Sequence, residues 1–304
     1  MKTLREVLAE ADARQVAIGH FNISELGTLK GIWAAAQDFS KEKGAPMPIL
    51  IGVSEGERDF IGVSQAVALV ASIREEYDYP IFLNADHTHS LDKVREAAEA
   101  GFDEILFDGS TLPSFEENLK QTQEAVKIVR GINPGIVVEG EIGFIGSGSE
   151  IIEKKPELVL STVGEAVQFV KETGVDVLAP AVGNMHGLLA TMAAGTEHKR
   201  LHIERIAEIK QALVASLSES GSKPGAGSWM TLHGGSGTAD EDFVAAVKAG
   251  MTIVHVSSEL RLAWRRGIEQ GLKDQNEIAP YKLMAPSVEG VKNVVLERLK
   301  LFNR

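Results

Sequence analysis

The chain has 304 residues, 44% hydrophobic and 24% charged, enough to bury a sizeable core without covalent staples. It has no cysteine, which excludes disulfides and a thiolate zinc site, and its net charge of −12 makes it a poor partner for nucleic acid. No apolar run reaches the ~20 residues of a membrane span, and the charged start MKTLREVLAEADARQ lacks the apolar core of a signal peptide; a cytoplasmic enzyme with neither a membrane nor a nucleic-acid partner is expected.

Strand-like apolar runs lie at 16–20, 47–53, 80–85, 103–107, 135–140, 176–182, 229–233 and 252–256. They are nearly continuous in apolar residues, as in parallel strands buried on both faces. Helix-like stretches separate them. In 90–100, Leu91, Val94 and Ala98 share a face; in 115–130, Phe115, Leu119, Val126 and Val129 do. An internal repeat joins the two kinds of element: Gly101, Gly174 and Gly250 each end a helical pattern just before an apolar run, where glycine accepts the left-handed conformation that closes a helix. Eight such alternations predict one α/β domain over residues 1–304, a (β/α)8 TIM barrel with an added C-terminal helix near 285–302. A doubly wound open sheet is the rival, but it does not require eight units. The long stretches 143–158 and 187–200 read as mobile loops.

Three strand-like runs end in histidine: Ile81–Ala85 runs into Asp86-His87, Val177–Val182 into Gly183-Asn184-Met185-His186-Gly187, and Met230–Leu232 into His233-Gly234-Gly235-Ser236-Gly237. Three imidazoles plus an open position are a common catalytic zinc arrangement. The glycine-rich turn after the seventh run offers backbone N–H groups to an anion at the recurrent phosphate site of this fold. Taken singly, a histidine at a strand end is more often a satisfied structural residue, and a glycine-rich turn is a weak signal. His89, His198 and His202 read as surface or helix-cap residues, and Lys154-Lys155 as a solvated loop.

The order and spacing of Asp86-His87, Asp108-Gly109-Ser110, Val138-Glu139-Gly140-Glu141-Ile142-Gly143, Gly183–Gly187 and His233–Gly237 resemble those of the class II, metal-dependent ketose-bisphosphate aldolases, from about Val16 to about Phe302. The resemblance implies a catalytic Zn2+ on His87, His186 and His233, with Glu141 beside it. It implies Asp86 as the acid/base on the substrate's C4 hydroxyl. Gly187, Gly234, Gly235, Ser236, His255, Ser257 and Ser258 would hold the phosphate of the dihydroxyacetone-phosphate half, with a monovalent cation (Na+ or K+) nearby. Asn22, Ser54 and Asp108 would line the pocket. The substrate would be a phosphorylated ketose such as fructose 1,6-bisphosphate, the reaction C3–C4 cleavage through an enediolate, and the assembly a homodimer or higher even oligomer. The alternatives are another sugar phosphate, such as tagatose 1,6-bisphosphate, or a barrel that keeps its metal and has lost catalysis.

The chain departs from the family pattern in several places. Asn84-Ala85-Asp86-His87 stands where His-x-Asp-His is usual. Glu150, displaced by about one place, is the candidate carbon acid, with Glu153 behind it. The lysine common shortly after His-Gly is absent from Gly187–Thr191. His255 replaces an asparagine, Ser258 a threonine, and His20 a small residue. Because strands one and eight are neighbours in a closed barrel, His20 and His255 are expected on one side of the pocket.

Overall fold

Strand Ile18–Asn22 (β1) pairs in parallel with both Ile49–Val53 (β2) and Met251–Val256 (β8), and this double pairing closes a barrel. Between them run Ile81–Thr88 (β3), Glu104–Phe107 (β4), Val137–Ile142 (β5), Val177–Pro180 (β6) and Trp229–Leu232 (β7), each parallel to its neighbours. The computed structural model describes residues 2–146, 148, 150–155, 158–219 and 227–304. All eight strands fall on the expected apolar runs, and helices surround them. The helix Phe115–Ile132 starts at an N-cap serine, Ser114, whose side chain accepts from the Glu117 N–H. Gly101 and Gly174 close their helices at φ 95° and 73°, as the repeat predicted.

The eight-strand closure decides against the open sheet. Among the described residues, no helix is long and apolar enough to cross a membrane. The stretches expected as loops are partly ordered: Ile151–Ile152 pairs in parallel with Leu188–Leu189, and Ala190–Ala193 is a short helix. Two apolar residues on each segment suffice for this small sheet, which is too short to leave a periodic signal.

The N-terminal helix Leu4–Ala13 had no expected role. Leu4, Val7, Leu8 and Ala11 pack with Ile18, Leu50, Phe82, Val137, Val177, Trp229 and Ile253, residues from seven of the eight strands. The helix therefore plugs the N-terminal end of the barrel and excludes water from below. At the other side, the C-terminal helix Ala285–Phe302 packs against the helices Leu26–Lys43 and Ser258–Gly271. A Cβ on Gly267 would meet Ser287 Cα at 2.3 Å, so glycine permits that approach.

Candidate active site

The apolar plug fixes which side chains enter the barrel. Side chains alternate along a strand, so residues two and four beyond an inward-facing one also face inward. From Ile18, Phe82, Val137, Trp229 and Ile253 this parity sends His20, Asn22, Asn84, Asp86, Glu139, Glu141, Thr231, His233 and His255 into the lumen. All are buried. Only His87 has the wrong parity. The pairing of β3 with β4 slips between Ala85 and Thr88, and His87 adopts φ 40°. That bulge turns two consecutive residues, Asp86 and His87, toward one cavity. Buried Arg58 holds it: its guanidinium donates to Val53 O at 2.6 Å, Asp86 O at 3.1 Å and Thr88 Oγ1 at 3.0 Å.

His87, His186, His233 and Glu141 each offer a ligand atom, all within 4.8 Å of one another. The His87 ring centroid lies 4.8 Å from that of His186 and 4.9 Å from that of His233. Two neighbours orient the imidazoles. His87 Nδ1 meets Asp108 Oδ2 at 2.7 Å, leaving Nε2 for a ligand position. His233 Nε2 meets Glu139 Oε1 at 2.7 Å, leaving Nδ1. His186 Nε2, His233 Nδ1 and Glu141 Oε2 are buried without a hydrogen-bond partner. Such orphans are costly, and a divalent cation would satisfy all three. The donor set therefore fits a metal, and carboxylates behind two of its histidines are the usual outer support.

The protonation pattern has physical causes. Burial opposes the charged form of His87, but the charges of Asp86, Glu141 and Asp108 and its hydrogen bond to Asp108 lift it to about 10. Burial and the positive neighbour His87 push His186 well down and His233 to about 3, so both imidazoles are neutral, the form that can bind a metal. Burial raises Glu141 well above the usual carboxylate range, and Glu139 to about 8, with Asp86 adding repulsion. Asp86 resists its own burial: His87 and His255 hold it well below that range. It is an ionised acceptor within a crowded acidic site. Asn22 Nδ2 donates to Asp86 Oδ2 at 2.8 Å and to Glu57 Oε2 at 2.9 Å.

A cavity of about 290 Å³ opens above these groups. Its wall includes Asn22, Ser54, Asp86, His87, Asp108, His186, Gly187, His233, Gly234, Ser236, His255, Ser257 and Ser258. Most of the expected pocket residues thus share one wall, at the C-terminal ends of the strands. Two do not. Gly235 is turned inward, its N–H donating to His255 O at 3.1 Å. Glu150 is exposed and does not itself line the cavity, though its carboxylate lies against Gly148, which does, and its carbonyl accepts from the Leu188 N–H. Gly237 N–H is taken by Glu259 Oε1 at 2.7 Å, which narrows the anion cradle to the turn's first residues and the start of helix Ser258–Gly271. His255 turns Nδ1 to Asp86 Oδ1 at 3.5 Å, so it faces the carboxylate as well as the cavity. His89, expected at the surface, is exposed but reaches the rim, with Nδ1 3.3 Å from Asp108 O.

Four residues escaped the sequence reading in these roles. Glu139 orients His233; its alternation with Glu141 was the available signal. Arg58 pins the bulge, and nothing in its neighbourhood marks it. Arg261 lines the cavity and pairs with Glu57 at 2.7 Å; its place one turn into the helix after Ser257-Ser258 was readable. Lys199 lies far in sequence from any motif, yet its Nζ donates to Met185 O at 2.6 Å and to Gly187 O and Gly234 O at 2.9 Å.

Known proteins resemble this chain along nearly its whole length. The sequence profile of the family described as "Fructose-bisphosphate aldolase class-II" matches residues 2–304. The fructose-bisphosphate aldolase of Helicobacter pylori strain 26695 is 30% identical over 308 residues, covering 98% of this chain and 96% of that protein. The Geobacillus stearothermophilus fructose-bisphosphate aldolase is 29% identical over 304 residues, with 99% and 96% covered. Among solved structures, the YdjI aldolase of Escherichia coli K12 superposes with a TM-score of 0.76 at 25% identity, covering 98% of this chain and 96% of that one.

Proposed function

The chain belongs to the class II fructose-bisphosphate aldolase family, a metal-dependent group of aldehyde-lyases acting on sugar phosphates, and from that premise we propose that it is a zinc enzyme cleaving and forming the C3–C4 bond of fructose 1,6-bisphosphate. The observation that carries this reading is the convergence of His87, His186, His233 and Glu141 on one point beside an ionised Asp86. Imidazole nitrogen and carboxylate oxygen suit zinc. A divalent ion held there would act as a Lewis acid toward the negative charge that develops on the ketose oxygens.

The remaining steps belong to the chain's own groups. Asp86, ionised and fixed by Asn22, takes the C4 hydroxyl proton as the C3–C4 bond breaks. C4 leaves as the carbonyl of glyceraldehyde 3-phosphate, and the bonding pair stays with C3 of the dihydroxyacetone-phosphate half. Glu150 returns a proton to that carbon; from its exposed position the loop after β5 must close to bring it in. Ser236, Ser257, Ser258 and the turn at Gly187 and Gly234 hold the adjacent phosphate, with Arg261 at the rim. Asp108 and Glu139 keep two imidazoles in their ligating tautomers.

One observation favours a different ketose phosphate: His255 occupies the cavity wall beside Asp86, where the family pattern has asparagine. Cleavage of fructose 1,6-bisphosphate and of tagatose 1,6-bisphosphate, each measured with and without chelator, tests the reading. Zinc-dependent turnover of the first substrate supports it; preference for the second moves the assignment, and no turnover of either sinks it.

A further inference from the structure

Lys199 stands between β6 and the helix Ile203–Glu219, with its backbone fastened to the turn after β7. Its N–H donates to Gly237 O at 2.8 Å, and its carbonyl accepts from Ala239 N–H at 3.3 Å. From there the side chain runs back beneath both histidine turns. It is 3% exposed and does not line the cavity.

The three carbonyls around Nζ are those of Met185 and Gly187, which flank His186, and of Gly234, which follows His233. Three acceptors match the three N–H donors of an ammonium. No carboxylate comes within ion-pairing distance of Nζ among the described residues; burial lowers the ammonium to about 7, Glu259 favours the charged form from longer range, and the three carbonyls accept from it as an ammonium. A cluster of backbone carbonyls around one point is also how proteins hold a bare monovalent cation. The cluster is fixed by its backbone. Gly187 and Gly234 have φ of 72° and 56°, and a Cβ on Gly234 would meet Met185 O at 2.3 Å. The oxygens thus stay aimed at one point whatever occupies it.

The resemblance called for a monovalent cation beside the substrate phosphate. The carbonyls at these turns do not fit a free ion, because a cation tethered to the chain already fills their centre. We propose that the Lys199 ammonium does the work of a monovalent cation, holding the His186 and His233 turns together and placing positive charge behind the phosphate site, so that this enzyme needs neither Na+ nor K+. Lys199 is a positioning residue, acting through the turns that carry His186, Gly187 and Gly234. The proposal rests on the aldolase reading only for the identity of the anion.

The test titrates KCl, NaCl and NH4Cl against choline chloride at constant ionic strength, using zinc-loaded wild type and Lys199→Ala. Two quantities are read: kcat/KM for fructose 1,6-bisphosphate and the thermal midpoint. Wild type is expected to be flat in both. Without a small cation, Lys199→Ala is expected to lose about 10–100-fold in kcat/KM, the range for groups that orient metal ligands. K+ or NH4+ should restore activity and raise the thermal midpoint of the variant alone. Stimulation of wild type by Na+ or K+ overturns the proposal, as does a folded variant that no cation rescues. If Lys199→Ala does not fold, Lys199→Met keeps most of the stem: folding that requires K+ or NH4+ supports the proposal, and if neither variant folds the wild-type titration decides. A wild type that cleaves no ketose phosphate sinks the aldolase reading, while the thermal midpoints still judge Lys199.

Discussion

The imidazole rings of His20 and His255 lie face to face, centroids 3.4 Å apart and planes 2° from parallel, where β1 pairs with β8. Burial drives both toward the neutral form, His20 well below its usual value and His255 to about 3, and neighbouring imidazoles add to it: His255 and His233 oppose charge on His20, His233 and His87 oppose charge on His255. The pair is therefore a neutral aromatic plate beside Asp86. Its site is prepared by a glycine: a Cβ on Gly52 would lie 2.0 Å from His20 Cε1.

The charge state of His255 bears on how pH affects substrate binding. A charged His255 against the substrate phosphate would make affinity weaken as pH rose through its titration. With its value pushed down to about 3, His255 stays neutral throughout the working range. His255→Asn is expected to leave the slope of KM against pH unchanged from pH 6 to 9, while kcat falls through the lost contact with Asp86. Different KM slopes for the two proteins would restore His255 as a titrating phosphate contact.

Gly52→Ala should be among the most damaging small substitutions in the barrel. Overpacking typically costs ~1–3 kcal/mol, and here the colliding ring is locked between β2 and His255. Removing the ring should remove the collision, so the double variant Gly52→Ala/His20→Ala is expected to be more stable than Gly52→Ala alone. Urea midpoints of the four proteins in the cycle measure the coupling. Strictly additive losses would mean that His20 moves aside freely.

Asp86→Ala separates acid–base chemistry from metal binding. The carboxylate bonds to Asn22 and faces His255, while the proposed ligand atoms belong to other residues. Zinc content should persist and turnover should fall by about 10²–10⁴-fold. Near-normal turnover in a zinc-replete variant would hand the proton transfer to another group.

Much of this was legible in the sequence because it depends on period and punctuation. The eight strands are apolar runs, three of them after the helix-closing glycines Gly101, Gly174 and Gly250, and the strand ends carry His87, His186 and His233. Glu139 and Glu141 stand two apart in one strand-like run, so parity alone makes them cofacial. The residues that stayed hidden act across the chain. Arg58 reaches the bulge of a neighbouring strand, and Lys199 reaches three carbonyls from a loop with no motif. The stacking of His20 on His255 needed the registry of β1 against β8, which follows from barrel closure and is not written in either strand. The plug formed by Leu4–Ala13 was missed because its four buried residues find partners on seven strands scattered along the chain.

Metal loading should release protons, and His87 is the reason. Its imidazolium is held at about 10, above its ordinary 6.5, by Asp86, Asp108 and Glu141. A group whose value is raised in the folded state contributes stability that is fully present below 6.5 and lost as pH rises through about 10. The metal-free protein should therefore lose this contribution over that window. A metal ion needs the neutral imidazole and competes with the proton. Its apparent affinity should rise with pH up to about tenfold per unit for the one proton displaced from His87. The gap in thermal midpoint between zinc-loaded and chelator-stripped protein should widen from pH 6.5 to 9. Calorimetric zinc titrations at pH 7.5, in buffers of different ionisation enthalpy, should count at least one proton released per ion, more if Glu141 also gives one up. A pH-independent affinity with no proton release would place the metal away from His87.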